Sequence, residues 1–352
     1  MRIAWIVYGA LEQPTGGYIY DAAIVSRLRA AGDWLEILSI AAGSDPAQLA
    51  RTLMDARCDA IVGDALAARE LGGAFPRCDE RAARVLLVHH LTSWECEVSN
   101  AQALREDEAR AIAASDHLVA TSAWTAGRVA SEFGRTPDVV TPGSDRLERL
   151  GRLRGADERV VLAFVGGVIP RKRLALLLEA MDQASPNLEL RIIGDLTRDP
   201  AYAASIRDSL ERRHGLRNRV ALLGLADNHT LAREFALADA LVLPSSLEGY
   251  GMVLSEALHA GVPVIATRRG PIAEVVGPGE CALLFDGDAN ALAVELTRFG
   301  SEPVLRERMR LAAEARALAL PTWDQAAASF RNVLMRAVAA REDVAPSIER
   351  AS

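Results

Sequence analysis

The chain has 352 residues, more than one hydrophobic core usually supports, so two domains are expected. Half of the residues are apolar and a quarter are charged, the make-up of a globular protein rather than a disordered or fibrous one. A net charge of −7 and 5 % aromatic residues leave neither the basic footprint nor the stacking surface of a nucleic-acid binder.

No apolar run reaches the roughly 18–20 residues needed to cross a bilayer. No Lys/Arg cluster promises strong attraction to an anionic membrane, which leaves open only peripheral contact. The opening MRIAWIVYGAL resembles a signal peptide in its basic start and apolar stretch. It lacks a small-x-small cleavage site and is interrupted at Glu12 and Pro14, so a buried strand over Ile3–Val7 is the better reading. Cys58, Cys78, Cys96 and Cys281 are scattered without a CxxC, which indicates neither a zinc site nor a disulfide framework and fits a reducing cytoplasm.

In chain order, strands are predicted at Ile3–Val7, Leu35–Ser39, Ala60–Val62, Val85–Val88, His117–Ala120 and Val139–Val140. Helices are predicted between them over Tyr20–Ala30, Ala47–Ala56, Gln102–Ala113 and Trp124–Phe133. Such alternation means βαβ units and a parallel sheet, and runs such as VLLV are apolar at every position, as a sheet covered on both faces requires. Thr141–Asp157 then turns polar and Arg-rich after a Pro-Gly turn, as an interdomain connection would. The alternation restarts with strands at Val160–Val165, Leu188–Ile193, Val220–Leu223, Ala240–Leu243, Val264–Ala266 and Ala282–Leu284. Leu174, Leu177, Leu178 and Met181 mark a helix at i, i+3, i+4, i+7. Helices over Glu302–Leu318 and Trp323–Ala340 follow, and the terminal REDVAPSIERAS reads as frayed.

The fold class is therefore α/β, with two Rossmann-like, doubly wound parallel-sheet domains. Residues 1–150 form the first domain and 151–322 the second, while 323–352 form a C-terminal helix expected to pack back on the first. In such folds ligands bind beyond the carboxyl ends of strands. Gly16–Gly17, His89–His90, Gly166–Gly167 with PRKR, and Glu248–Gly251 all fall there. Domains facing each other by those ends would place all four groups on one cleft.

The most informative stretch is LPSSLEGYGMVLSEALHAG, Leu243–Gly261. Leu254, Ala257 and Leu258 recur at i, i+3, i+4, so a helix is predicted to start near Met252, with Glu256 close to its first turn. A glycine-bent turn into that helix aims unpaired N–H groups and the positive end of the helix dipole at one point, which suits a phosphate. Glu248 and Glu256, with seven residues between them, could then accept hydrogen bonds from the hydroxyls of a hexose and of a ribose. The plainer alternative is a loop glutamate and a solvated helical glutamate that share a neighbourhood.

FVGGVIPRKRLALLLEAM, LRIIGD, VALLGL, ADALVLPSSLEGYGMVLSEALHAGVPVIAT and RGPIAEVV, in that order over Val160–Phe285, resemble the family 4 glycosyltransferases. The first half matches more loosely, through TGG, His89, SDHLVATSAWTA and TPGSD. The resemblance implies the GT-B fold, a nucleotide-sugar donor and retention of anomeric configuration. By it, Glu256 would receive the ribose hydroxyls, and Glu248 would hold the transferred sugar and face the charge developing at its anomeric carbon. Gly251, Met252 and Val253 would give N–H groups to the pyrophosphate, and Gly16 and Gly17 would admit backbone beside it. His89 would sit by the donor sugar; a core histidine is the alternative, and which of His89 and His90 points inward stays open. The catalytic set is thus Glu248, His89 and Lys172. The family's arginine after the first strand of this half is Gly167 here, and its glycine after the lysine is Arg173. Phosphate charge would fall on Arg171 and Lys172, with Arg173 as a candidate substitute.

No metal site and no cofactor are expected, since the chain is read as lacking an Asp-x-Asp cluster and the nucleotide sugar, UDP- or GDP-linked, is a substrate. The acceptor is a glycan, a lipid-linked molecule or a small molecule. A dinucleotide enzyme is disfavoured because no G-x-G-x-x-G opens a helix after a strand, and a P-loop enzyme by the absence of G-K-[ST]. A sugar-nucleotide epimerase and a non-catalytic binding subunit are the remaining alternatives.

Overall fold

The computed structural model describes residues 1–95, 100–153 and 159–349, with side chains through Arg341. Cys96 and the end of the Arg-rich connection lie outside the described residues. Two compact units divide the chain, Met1–Pro142 with Thr322–Ser352, and Gly143–Pro321. Residues 143–153, read above as connection, are therefore second-unit structure, and Leu147 is buried in that unit's core.

The first unit runs β1 Arg2–Tyr8, α1 Gly16–Ala30, β2 Trp34–Ile40, α2 Pro46–Ala56, β3 Ala60–Asp64, α3 Ala68–Ala74 and β4 Ala83–Val88. It continues with α4 Ala101–Ala114, β5 His117–Ala120, α5 Ala123–Phe133 and β6 Asp138–Val139. The sheet is parallel in the order β2-β1-β3-β4-β5-β6, so the strand order reverses beside β1. Helix α1 begins at Gly16, four residues before the predicted start, because Thr15 takes an extended N-cap conformation and the glycine pair enters the first turn.

The second unit repeats the plan: β7 Val160–Val165, α6 Leu174–Gln183, β8 Leu188–Ile193, α7 Pro200–Arg212, β9 Val220–Gly224, α8 Asn228–Leu237 and β10 Ala240–Leu243. Then come α9 Met252–His259, β11 Val264–Thr267, α10 Ile272–Val276, β12 Ala282–Phe285, α11 Ala289–Ser301 and α12 Pro303–Ala317. Its parallel order, β12-β11-β10-β7-β8-β9, reverses between β7 and β10. Alternate strand residues feed two cores, as a sheet covered on both faces demands. Val160, Leu162 and Phe164 of β7 pack with Leu177, Leu178, Leu292 and Phe299. Ala163, with Leu241 and Leu243 of β10, packs with Phe235, Leu254 and Leu258.

The last helix, α13 Trp323–Glu349, belongs to the first unit and runs nine residues past the predicted Ala340, through part of the segment read as frayed. Trp5, Tyr20, Trp323 and Phe330 form its aromatic seat, with ring centroids 5.3 Å apart for Trp5–Phe330 and 5.8 Å for Tyr20–Trp323. Such large, nearly dry side chains dominate burial energy. Arg27–Asp324 and Arg331–Asp33, both 2.7 Å, fix the helix laterally. Among the described residues no helix is long and apolar enough to cross a membrane, and the described cysteines are free.

Candidate functional site

In the second unit the site forms where the sheet changes direction, at the carboxyl ends of β7 and β10. The chain leaves β7 through Gly166–Gly167 and makes a short 3-10 turn over Pro170–Lys172. The Arg171 carbonyl accepts from the Ser246 backbone N–H at 2.9 Å, and Arg171 Nη1 donates to the Leu247 carbonyl at 2.5 Å. These bonds stitch the two loops together and bring Lys172 onto Glu248.

Lys172 Nζ lies 2.6 Å from Glu248 Oε1, and Arg171 Nη1 lies 3.8 Å from Oε2. Glu248 is buried. Burial alone would push its carboxyl up, but the Lys172 and Arg171 charges overcome this and hold it at about 2. Burial in turn draws the Lys172 ammonium below the ordinary lysine range; Glu248 opposes this, while Arg171 and Arg198 add to it. The site thus keeps a permanent carboxylate beside a desolvated ammonium, an arrangement typical of functional sites.

Helix α9 starts at Met252, as predicted, behind Gly251 in the left-handed region at φ 85°. A Cβ there would also lie 2.9 Å from Leu254 Cδ1, so glycine is required twice over. No side chain caps this helix, which leaves the leading N–H groups at Met252 and Val253 as donors. Glu256 falls in the second turn rather than the first and is buried. Its Oε1 accepts from Arg146 Nε at 2.7 Å, and Arg146 also donates to Asn228 Oδ1. Arg146 escaped the sequence reading because it sits in the stretch taken for a connection. Arg173 donates to the Gly287 carbonyl at 3.3 Å and has Arg269 as a charged neighbour; among the described residues it makes no hydrogen bond or ion pair with Glu248.

The first unit gathers a different chemistry at its own reversal. His89 follows β4, Asp64 ends β3, and Asp21 lies one turn into α1 beyond Gly17. His89 Nε2 is 3.1 Å from Asp21 Oδ1, and the ring meets Tyr20 edge-on at 5.2 Å. A Cβ on Gly17 would stand 3.1 Å from His89 Cδ2, so the glycine makes room for the imidazole. Burial favours neutral His89, but Asp21 and then Asp64 outweigh it and raise the imidazole above its ordinary value. Burial, with Asp21, pushes Asp64 up to about 6 against the pull of His89. His90 instead pairs with Glu95 Oε1 at 2.9 Å. Asp21 and Asp64 were missed, although an acid inside the apolar run YIYDAAIV, and another ending AIVGD, are the signals that could have flagged them.

Asp21, Asp64 and His89 have ligand atoms within 4.8 Å of one another, the spacing a metal ion could bridge among the described residues. The sequence does contain one Asp-x-Asp, Asp286-Gly287-Asp288, a correction to the reading that it has none. Both acids have structural uses: Asp286 pairs with Arg268 at 3.1 Å, and Asp288 caps α11 through Asn290 and Ala291. A cavity of about 380 Å³ lies at the opposite, amino-terminal ends of β10 and β11. Arg149, Arg152 and Arg310 on its wall are ion-paired to Glu314, Asp239 and Glu307, so it reads as a salt-bridged seam.

Residues 149–316 match the family model described as Glycosyl transferases group 1. The match falls on the second unit and spans a little under half of the chain. A D-inositol 3-phosphate glycosyltransferase from Thermomonospora curvata is 32% identical over 247 residues, 62% of this chain and 56% of that one. Its counterpart from Streptomyces scabiei is 32% identical over 260 residues, 66% of this chain and 56% of that one. The chain thus spans little more than half the length of these curated relatives. Among solved structures, sucrose-phosphate synthase from Thermosynechococcus elongatus superimposes with a TM-score of 0.82 at 22% identity, covering 96% of this chain and 99% of that one. Anabaena HepE in complex with UDP-glucose gives 0.81 at 19% identity, covering 96% and 100%. The fold is GT-B, built from two Rossmann-like units.

Proposed function

We propose that this chain moves a hexose from a nucleotide-sugar donor, UDP- or GDP-linked, to an acceptor with retention of anomeric configuration and without a metal ion. The observation that carries the proposal is the Lys172–Glu248 pair, 2.6 Å apart, beside the uncapped start of α9 at the sheet reversal. Departure of the nucleotide leaves negative charge on its β-phosphate, which Lys172, Arg171 and the Met252 and Val253 N–H groups would stabilise. Glu248, anionic at any working pH, accepts from the sugar hydroxyls and faces the positive character at the anomeric carbon. Glu256, with Arg146 on one oxygen, offers the other to the ribose.

The separation of roles argues against assigning Glu248 as a covalent nucleophile: its charge is already shared with Lys172 and Arg171. In the resulting front-face return, the departing phosphate takes the acceptor's proton. The UDP-glucose complex of HepE supports the donor class. Of the three acceptor classes, a glycan, a lipid-linked molecule or a small molecule, the inositol-phosphate relatives favour the last. Thermal-shift screening of UDP-, GDP- and ADP-sugars tests the donor, since a ligand of the folded state raises its melting temperature. Proton NMR of the product's anomeric signal then tests retention, and turnover in EDTA tests metal independence. Inversion, or a loss of turnover that a divalent ion restores, would refute the respective part.

A further inference from the structure

We propose that Arg198, on the loop between β8 and α7, is a diphosphate-binding residue that occupies the space left by the missing side chain of Gly167. This rests on the donor-site reading above and adds a residue to it.

The placement begins in the backbone. Beyond the paired strands, Gly166 N–H donates to the Ile193 carbonyl and Val168 N–H to the Asp195 carbonyl, both at 2.9 Å. The loop after β8 is therefore zipped onto the loop after β7. The approach is so close that a Cβ on Gly194 would lie 1.8 Å from the Gly166 carbonyl oxygen, which only glycine avoids. Asp195 Oδ1 then accepts from Thr197 N–H at 2.7 Å and from its hydroxyl at 2.6 Å. Asp199 caps α7 by accepting from Tyr202 N–H at 2.9 Å. Arg198 is held between these two turns and reaches back over β7. A Cβ on Gly167 would stand 3.3 Å from Arg198 Cδ and 3.7 Å from its Nη1, so the arginine fills the volume a side chain at 167 would need.

The electrostatics point the same way. Burial does most to lower the Lys172 ammonium, and the Arg171 and Arg198 charges add to it against Glu248. Two arginine charges therefore crowd the Lys172 ammonium while Glu248 supplies one carboxylate, an excess of positive charge that a dianionic ligand would neutralise. Among the described residues Arg198 makes no hydrogen bond and no ion pair, although two aspartates flank its loop. Each of those acids uses an oxygen to shape the backbone. Arg198 is exposed, so its five donors are available to a ligand without breaking any bond.

The test is titration calorimetry of UDP, GDP and ADP into the full wild-type chain, into Arg198→Gln, and into the double variant Gly167→Arg/Arg198→Gln. Loss of a charge-assisted phosphate contact should weaken the diphosphate that binds wild type by about 10- to 100-fold in Arg198→Gln. Melting temperature should be unchanged, because the side chain bonds nothing in the fold. Returning an arginine to position 167 in the double variant should recover most of the affinity, a rescue that a merely structural role would not give. Equal affinity in Arg198→Gln and wild type would overturn the role of Arg198 while leaving the donor reading intact. If wild type binds none of the three diphosphates, the donor reading falls and Arg198's role with it.

Discussion

Of 40 basic residues in this chain, Lys172 is the only lysine, and it is the one set 2.6 Å from Glu248. If that position needed positive charge alone, arginine would be the expected residue. The side chain instead threads past Gly166, whose added Cβ would stand 3.4 Å from Lys172 Cε, and ends as a compact ammonium in a buried site. A planar guanidinium is wider and directs its donors in a fixed fork. Lys172→Arg is therefore expected to stay folded while losing at least about 100-fold in transfer, about 2.7 kcal/mol, the scale of one misplaced oxyanion donor. Lys172→Ala carries a second cost. Moving Glu248 from an ordinary 4.5 to about 2 corresponds to about 3 kcal/mol of favourable interaction. Part of this is returned through Lys172, whose ammonium burial disfavours. Arg171 also holds the carboxyl down, so the net destabilisation at pH 7 is expected to be smaller than that figure. Because the folded carboxyl is depressed, that contribution is present above about pH 4.5 and disappears as pH falls toward about 2. Steady-state kinetics and urea melts separate the two effects. Lys172→Arg retaining kcat and KM for the donor within a few-fold would refute the argument from shape.

Three further outcomes are expected. Glu256→Gln keeps an acceptor for Arg146 but loses charge, and should weaken nucleoside diphosphate binding by about 1.5–3 kcal/mol; unchanged calorimetric affinity would remove Glu256 from the site. Asp64 is raised to about 6 and His89 is raised as well, so both contribute stability at low pH that is lost as pH rises through those values. The stability of wild type relative to Asp64→Asn should therefore fall as pH rises from about 4 through about 6 in thermal melts; parallel curves would contradict the shift. Arg173 sits at φ 53°, where an L side chain is strained, so Arg173→Gly should gain about 1 kcal/mol in urea melts, less the bond to Gly287; a loss would mean the contact outweighs the strain.

Strands were legible because each is an apolar run bounded by turn residues, and β5, β7, β8 and β10 match their predicted bounds. Helix α3 was left unassigned; it carries Gly72 and Gly73, and glycine is a poor helix former. In the structure they are what lets α3 approach α4: a Cβ on Gly72 would lie 3.0 Å from the Ala111 nitrogen. The glutamate pair and the lysine were legible through spacing and context. Their partners were not, because Arg146 and Asp21 are distant in sequence from the groups they touch, 110 and 68 residues respectively. Side-chain pairing at that range is set by sheet order, which no local pattern encodes.

The two sheets share a parallel, doubly wound plan and reverse direction beside their first strands, yet those reversals hold opposite chemistry. Behind β1 and β3 stand Asp21, Asp64 and His89; behind β7 and β10 stand Arg171, Lys172 and an uncapped helix. Topology supplies the same crevice twice, and the few residues after each strand decide what it can hold. At the acid-rich reversal burial pushes Asp64 up to about 6, and the two aspartates raise His89. The cationic one keeps Glu248 ionised and a phosphate-sized excess of positive charge. Function in this chain is thus written in loop residues placed by duplicate scaffolds.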